Sequence, residues 1–162
     1  MVKQKLIYYY ILLLSLIAVL IVIDQVSKNF FILLYAINPP HNSASEVLPI
    51  LDFVYAWNHG ISFGLLSEYQ YSNIAFLIVN SAIIIYLGYL LIRSQTCLPQ
   101  IGLSFIIGGA VGNLIDRLYH GAVFDFIYFH YQDWGFPAFN LADSFITIGA
   151  IFFIYDYMFR KK

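Results

Sequence analysis

Four apolar runs separated by polar stretches set the layout of this chain. Residues 6–23 carry no charge and continue, past Asp24-Gln25-Val26-Ser27-Lys28, into an apolar tail that reaches Ile37. Three more runs cover about 73–92, 100–118 and 140–159. About 20 apolar residues cross a hydrocarbon core of about 30 Å as a helix. The pattern therefore predicts membrane helices at about 6–36, 73–92, 100–118 and 140–159. Residues 38–71 gather Asn-Pro-Pro, His41, serines, Pro49 and Gly60, the mark of a loop outside the membrane. Within it, Ile50–Trp57 is β-branched and aromatic enough for short strands. Residues 119–139, with Gly121, Gly135 and Pro137, read as a second loop.

Composition sharpens this picture. Hydrophobic residues make up 61% and charged residues 10% of the 162, against about 25% charged in soluble domains. Lipid is the solvent that suits such a chain, and the length suits one domain. The first run follows Lys3 and Lys5, as in a secretory leader, but no small-x-small cleavage site follows, so a retained helix is expected. A net charge of −1 gives no basic patch for nucleic acid. The single Cys97 excludes an intrachain disulfide, a redox pair and a multi-cysteine metal site.

Basic residues suggest an orientation. Lys3, Lys5, Arg93, Arg160, Lys161 and Lys162 fall on one side if the helices alternate, and short-loop Lys and Arg stay cytoplasmic. Both termini are then expected inside, and the loops at 38–71 and 119–139 outside. From Lys5 to Asp24 is 19 residues, about 28 Å of helix. From Pro99 to Asp116 and from Asp143 to Arg160 is 17 each, about 26 Å. Asp24, Asp116 and Asp143 are thus expected at one level near the outer interface.

Charges beside a membrane span are functional candidates. Asp125 and Asp143 are the foremost: two carboxylates in a confined site share one proton, so one can activate water while the other polarises a carbonyl. The plainer alternative makes Asp143 a first-turn acid or cap on the fourth helix. Asp24 and Lys28, four apart, can pair on one helix face, or form an interfacial pair with Lys28 snorkelling. Asn113, Asp116 and Arg117 end the third helix, with Asn113 within reach of both by spacing. Arg117 suits the helix C-terminus or can orient substrate carbonyls. Gly108 and Gly112 form a small-xxx-small pair suited to helix packing.

Other signals in the chain are weaker. Gly60-Ile61-Ser62-Phe63-Gly64 matches a nucleophile-elbow pattern, but that motif needs an α/β sheet and a histidine partner. Ser27 and Lys28, as neighbours, point about 100° apart. His41, His59, His120 and His130 lack metal-ligand spacing. The aromatics of 128–139 read as an interface belt or the mouth of a groove for a lipid-bearing substrate.

Five blocks in order carry a specific resemblance: Asp24-Gln25-x-Ser27-Lys28; Asn58-x-Gly60-x-Ser62-Phe63-Gly64; Gly108-Gly109-Ala110-x-Gly112-Asn113-Leu114-Ile115-Asp116-Arg117; Asp125-Phe126; and Phe139-Asn140-x-Ala142-Asp143-Ser144. Over nearly its whole length the chain resembles the lipoprotein signal peptidase (signal peptidase II) family. That resemblance implies an all-α integral membrane fold, 1–162 as one peptidase domain, with four transmembrane helices and a small periplasmic β-like subdomain. It implies an aspartic endopeptidase of the bacterial inner membrane, working near the periplasmic face without metal or cofactor. Its substrates would be prolipoproteins, cut before a diacylglyceryl-modified cysteine, with membrane lipid around them and globomycin, a cyclic peptide, as inhibitor. Asp125 and Asp143 fall on the catalytic positions. Asp24, Lys28, Asn58, Gly60, Asn113, Asp116, Arg117, Asn140 and Ala142 fall on site-supporting or substrate-binding ones. His59-Gly60-Ile61 and Phe124 depart from the commoner residues without changing a chemical group. Against the peptidase stand a proton conduit, which needs acids spread through the membrane depth, and a helix-binding scaffold built on Gly108 and Gly112.

Overall fold

The computed structural model describes residues 2–39, 44–60 and 72–159. Four helices, α1 (Val2–Ile37), α2 (Ser72–Arg93), α3 (Cys97–His120) and α4 (Leu141–Phe159), carry an antiparallel sheet of β1 (Ala44–Leu48), β2 (Leu51–Asn58), β3 (Val123–Tyr131) and β4 (Trp134–Gly135) in the order β1-β2-β3-β4. All four helices are long and apolar enough to cross a membrane.

Helix α1 is inside out by the standard of a soluble protein. Its buried stripe is Leu13, Leu20, Asp24, Lys28, Phe31 and Tyr35, whereas Leu12, Leu14, Val19, Val22, Val26 and Leu33 are exposed. Charges buried with leucines facing outward need lipid as the outer solvent. Asp24 and Lys28 do not end this helix, which runs unbroken for 36 residues. Its 31-residue apolar span is about 46 Å long, well beyond a 30 Å core. Beyond the charges, Phe31 and Tyr35 pack with Phe124 and Phe126, and the Phe31 and Phe126 rings stack at 4.4 Å.

Helix α3 sits at the centre, because it is the helix whose surface is paved with glycine. A Cβ on Gly108 would stand 2.9 Å from Leu20 Cβ of α1. A second face, not anticipated from the sequence, meets α4: a Cβ on Gly102 would press on the Gly149 carbonyl, one on Gly149 on the Gly102 carbonyl, and one on Gly109 on the Ala142 carbonyl. Without side chains the backbones approach closely, the usual basis of tight helix pairs in lipid.

Residues 119–139 correct the expectation of a loop. Val123–Tyr131 is a nine-residue strand paired with β2. Its first four residues are buried, so tertiary packing supplied the partner that makes an aromatic run a strand. The register of β2 on β3 shifts between Phe53↔Ile127 and Ala56↔Asp125. An unbroken ladder from Phe53↔Ile127 would set Tyr55 opposite Asp125. The irregularity inserts one residue into β2 and turns Ala56 and Asn58, rather than Tyr55 and Trp57, onto the face of Asp125.

Candidate active site

Helix α4 begins with a reciprocal cap. Asn140 Oδ1 accepts the Asp143 backbone N–H at 3.0 Å, and Asp143 Oδ2 accepts the Asn140 N–H at 3.1 Å. This is the geometry of a capping box, built from Asn and Asp. The capping reading of Asp143 is therefore correct, and it leaves the other oxygen available: Oδ1 accepts Asn113 Nδ2 at 2.8 Å.

Asn140 also reaches the second carboxylate. Its Nδ2 donates to Asp125 Oδ1 at 2.7 Å, so one residue holds both Asp125 and Asp143. Asn58 Nδ2 donates to Asp125 Oδ2 at 3.2 Å, and the Gly60 N–H holds Asn58 by its Oδ1. Asp125 is 3% exposed. Burial pushes its carboxyl up to about 7; the Asp143 charge adds to this, while the Asn58 and Asn140 amides and Lys28 oppose it.

Beneath the pair lies a second layer. Lys28 is 2% exposed and does not snorkel. Its ammonium meets Asp24 Oδ2 at 2.8 Å, Asp116 Oδ2 at 2.9 Å and Asn113 Oδ1 at 2.9 Å. Three N–H bonds find three acceptors, which is what makes a buried ammonium tolerable. Asp24 Oδ1 accepts the Ala142 N–H at 2.9 Å, at the positive end of α4. Asp116 Oδ2 accepts the Phe124 N–H at 3.1 Å and ties β3 to α3, one residue from Asp125. Asp24, Asp116 and Asp143, expected at one level, meet in this network. Asn113 bonds to Lys28, Asp143 and Asn140 rather than to Asp116 or Arg117.

Gln25 was missed. Its Nε2 donates to Asp116 Oδ1 at 2.9 Å, to the Gly112 carbonyl at 3.1 Å and to Asp24 Oδ2 at 3.2 Å. A primary amide next to Asp24, within the polar turn Asp24–Asn29 of a long apolar helix, is the signal that points to it.

Arg117 is 9% exposed, with its guanidinium carbon 4.8 Å from the centre of the Phe76 ring. Its Nε and Nη1 are buried without a hydrogen-bond partner among the described residues. The site thus offers two donor groups beside two carboxylates, a fit for a carbonyl-bearing substrate. Ile61, Ser62, Phe63 and Gly64 of the elbow-like motif, and His41, lie outside the described residues. His130 Nε2 lies 3.2 Å from Asp52 Oδ1 on the sheet and does not join the site. Among the described residues, no three His, Cys, Asp or Glu are grouped to hold a metal ion.

Residues 16–159 match the family model described as signal peptidase (SPase) II. Lipoprotein signal peptidase from Rickettsia felis is 57% identical over 148 residues, covering 91% of this chain and 74% of that protein. The Rickettsia prowazekii protein of that name is 50% identical over 160 residues, 98% of this chain and 81% of its own length. Among solved structures, a bacterial membrane enzyme determined in meso at 2.3 Å is 31% identical, with a TM-score of 0.77 over 93% of this chain and 91% of that one. A second such structure, at 1.9 Å, is also 31% identical and gives 0.78 over 92% and 94%.

Proposed function

Because this chain belongs to the signal peptidase II family, a family of membrane proteases acting on prolipoproteins, we propose that it is an aspartic endopeptidase with Asp125 and Asp143 as its dyad. It removes signal peptides by cutting before the diacylglyceryl-modified cysteine. The observation that carries the aspartic mechanism is the bridge through Asn140, which holds both carboxylates at 2.7 and 3.1 Å. Two carboxyls coupled in this way keep one proton between them near neutral pH. The ionised member takes a proton from water, and the protonated one donates to the scissile carbonyl oxygen.

Asn58, Asn113 and Asn140 orient the pair; Asp24, Lys28 and Asp116 hold Asn113 and the start of α4 in place. Gly60 steadies Asn58 and Ala142 anchors Asp24. Arg117 supplies donors for substrate carbonyls. The charged layer lies at one end of the bundle, whereas α4 beyond Thr147 is apolar apart from Asp156 near its far end. That placement suits a substrate whose lipid tails stay in one leaflet, and it does not suit a conduit. With both termini cytoplasmic, the site faces the periplasmic side of the inner membrane. Globomycin, a cyclic peptide, competes with substrate for this carboxylate pair.

The test is a gel-shift assay with purified protein and a diacylated prolipoprotein. Asp125→Asn and Asp143→Asn each lower cleavage by roughly 10²-fold or more, while circular dichroism reports an intact helical fold. Near-wild-type turnover in either variant sinks the dyad.

A further inference from the structure

The two carboxylates are not equivalent. Asp125 is 3% exposed on β3, whereas Asp143 is half-buried in the first turn of α4. The Asn113 amide faces Lys28 and Asn140 through its Oδ1, at 2.9 and 3.2 Å. An ammonium has no acceptor to offer, so that oxygen cannot be exchanged for the nitrogen. Nδ2 of Asn113 must therefore point at Asp143. The Asp143 oxygens meet an amide N–H on one side and a backbone N–H on the other, with the positive end of α4 behind them.

Asp125 is served less well. Asn140 Nδ2 divides its two hydrogens among Asp125 Oδ1, Asn113 Oδ1 and the Phe124 carbonyl, and Asn58 stands at 3.2 Å. The charged groups around the pair are Asp24 and Lys28 of α1 and Asp116 and Arg117 of α3. Two cations face four carboxylates, so a neutral Asp125 leaves one uncompensated negative charge where an ionised one would leave two.

We infer that Asp125 enters the reaction carrying the proton and Asp143 carrying the charge, with Lys28 and Asn113 as the positioning residues that set this division. The inference rests on the dyad proposed above. Asp143 takes a proton from water as the water oxygen bonds to the scissile carbonyl carbon. The Asp125 O–H gives its proton to the carbonyl oxygen. When the resulting diol collapses, the C–N bond breaks, Asp143 passes its proton to the leaving nitrogen, and a diol hydroxyl returns one to Asp125. Both carboxyls finish as they began. The upward push on the Asp125 carboxyl agrees with this order.

Infrared difference spectra of the full chain in phospholipid nanodiscs, stepped through about pH 7, follow the carbonyl stretch of protonated carboxyls. The wild type shows a band that disappears as pH rises. Asp125→Asn loses the band; Asp143→Asn keeps it, titrating lower because the neighbouring charge has gone. A band lost from Asp143→Asn instead, kept in both variants, or missing from the wild type overturns the assignment. In Asn113→Ala, the acid limb of kcat moves up by roughly one to two pH units, with KM within about twofold. An unmoved acid limb, or a shift of the alkaline limb instead, removes Asn113 and Lys28 from this role. Failure of the dyad itself looks different: cleavage then survives in Asp125→Asn or Asp143→Asn.

Discussion

The Asp24 carboxylate lies so close to Gly112 that a Cβ at that position would stand 2.5 Å from Oδ2. Helix α3 admits this carboxylate of α1 because Gly112 has no side chain of its own. Gly112→Ala must therefore displace Asp24 from Lys28 and from the Ala142 N–H. The expected destabilisation is about 1–3 kcal/mol, typical of overpacking, with a matching loss of cleavage. Gly88 has nothing within 4 Å of its own Cβ position, so Gly88→Ala is neutral or stabilising by about 0.5–1 kcal/mol. Thermal melts in detergent separate the two; equal effects would argue against the close approach.

Removing Lys28 leaves Asp24 and Asp116 facing one another without a cation. Lys28→Met is expected to destabilise by about 3–5 kcal/mol, as when one partner of a buried pair is deleted. Lys28→Arg does not rescue it, because a planar guanidinium cannot match three acceptors arranged around one nitrogen. Melting temperatures and cleavage yield check both variants, and a well-folded, active Lys28→Met refutes the buried triad.

Asn140 combines two tasks that substitution can split. Asn140→Ser retains a good N-cap but is too short to reach Asp125, so the helix start is kept while kcat falls. Asn140→Ala loses the cap as well, at about 1 kcal/mol. If Asn140→Ser cleaves like the wild type, the bridge between the carboxylates is unimportant.

Asp125 makes stability depend on pH with a definite sign. Burial first and the Asp143 charge second raise its carboxyl from 3.8 to about 7. Between those values the unfolded chain releases the proton and the folded chain keeps it. Stability therefore falls as pH rises from about 4 to about 7, then levels off. Asp125→Asn removes that slope, so its advantage over the wild type grows across this window by on the order of 1–3 kcal/mol. Melts at several pH values measure it; an advantage that shrinks as pH rises would place an ionised carboxylate at Asp125.

Much was legible along the chain because choice of solvent is a local property. Apolar runs of membrane length specify the helices, and the carboxylates at their ends mark a level that any straight helix would reach. Spacing also reveals Gly108 and Gly112, and Asp143 as a first-turn acid. What the sequence alone left open depends on partners from other elements, 15 residues away for Asn140 and Asp125, 67 for Asn58 and Asp125 and 85 for Lys28 and Asn113. Lys28 is buried rather than snorkelling because Asp116 and Asn113 of α3 come within 2.9 Å of it. Val123–Tyr131 became a strand because β2 and the end of α1 cover it. Asn58 faces Asp125 because β2 has one extra residue, and Asn140 joins the carboxylates because α4 starts beside β3. Helical periodicity says which residues share a face; only the packing of one backbone on another decides what that face meets.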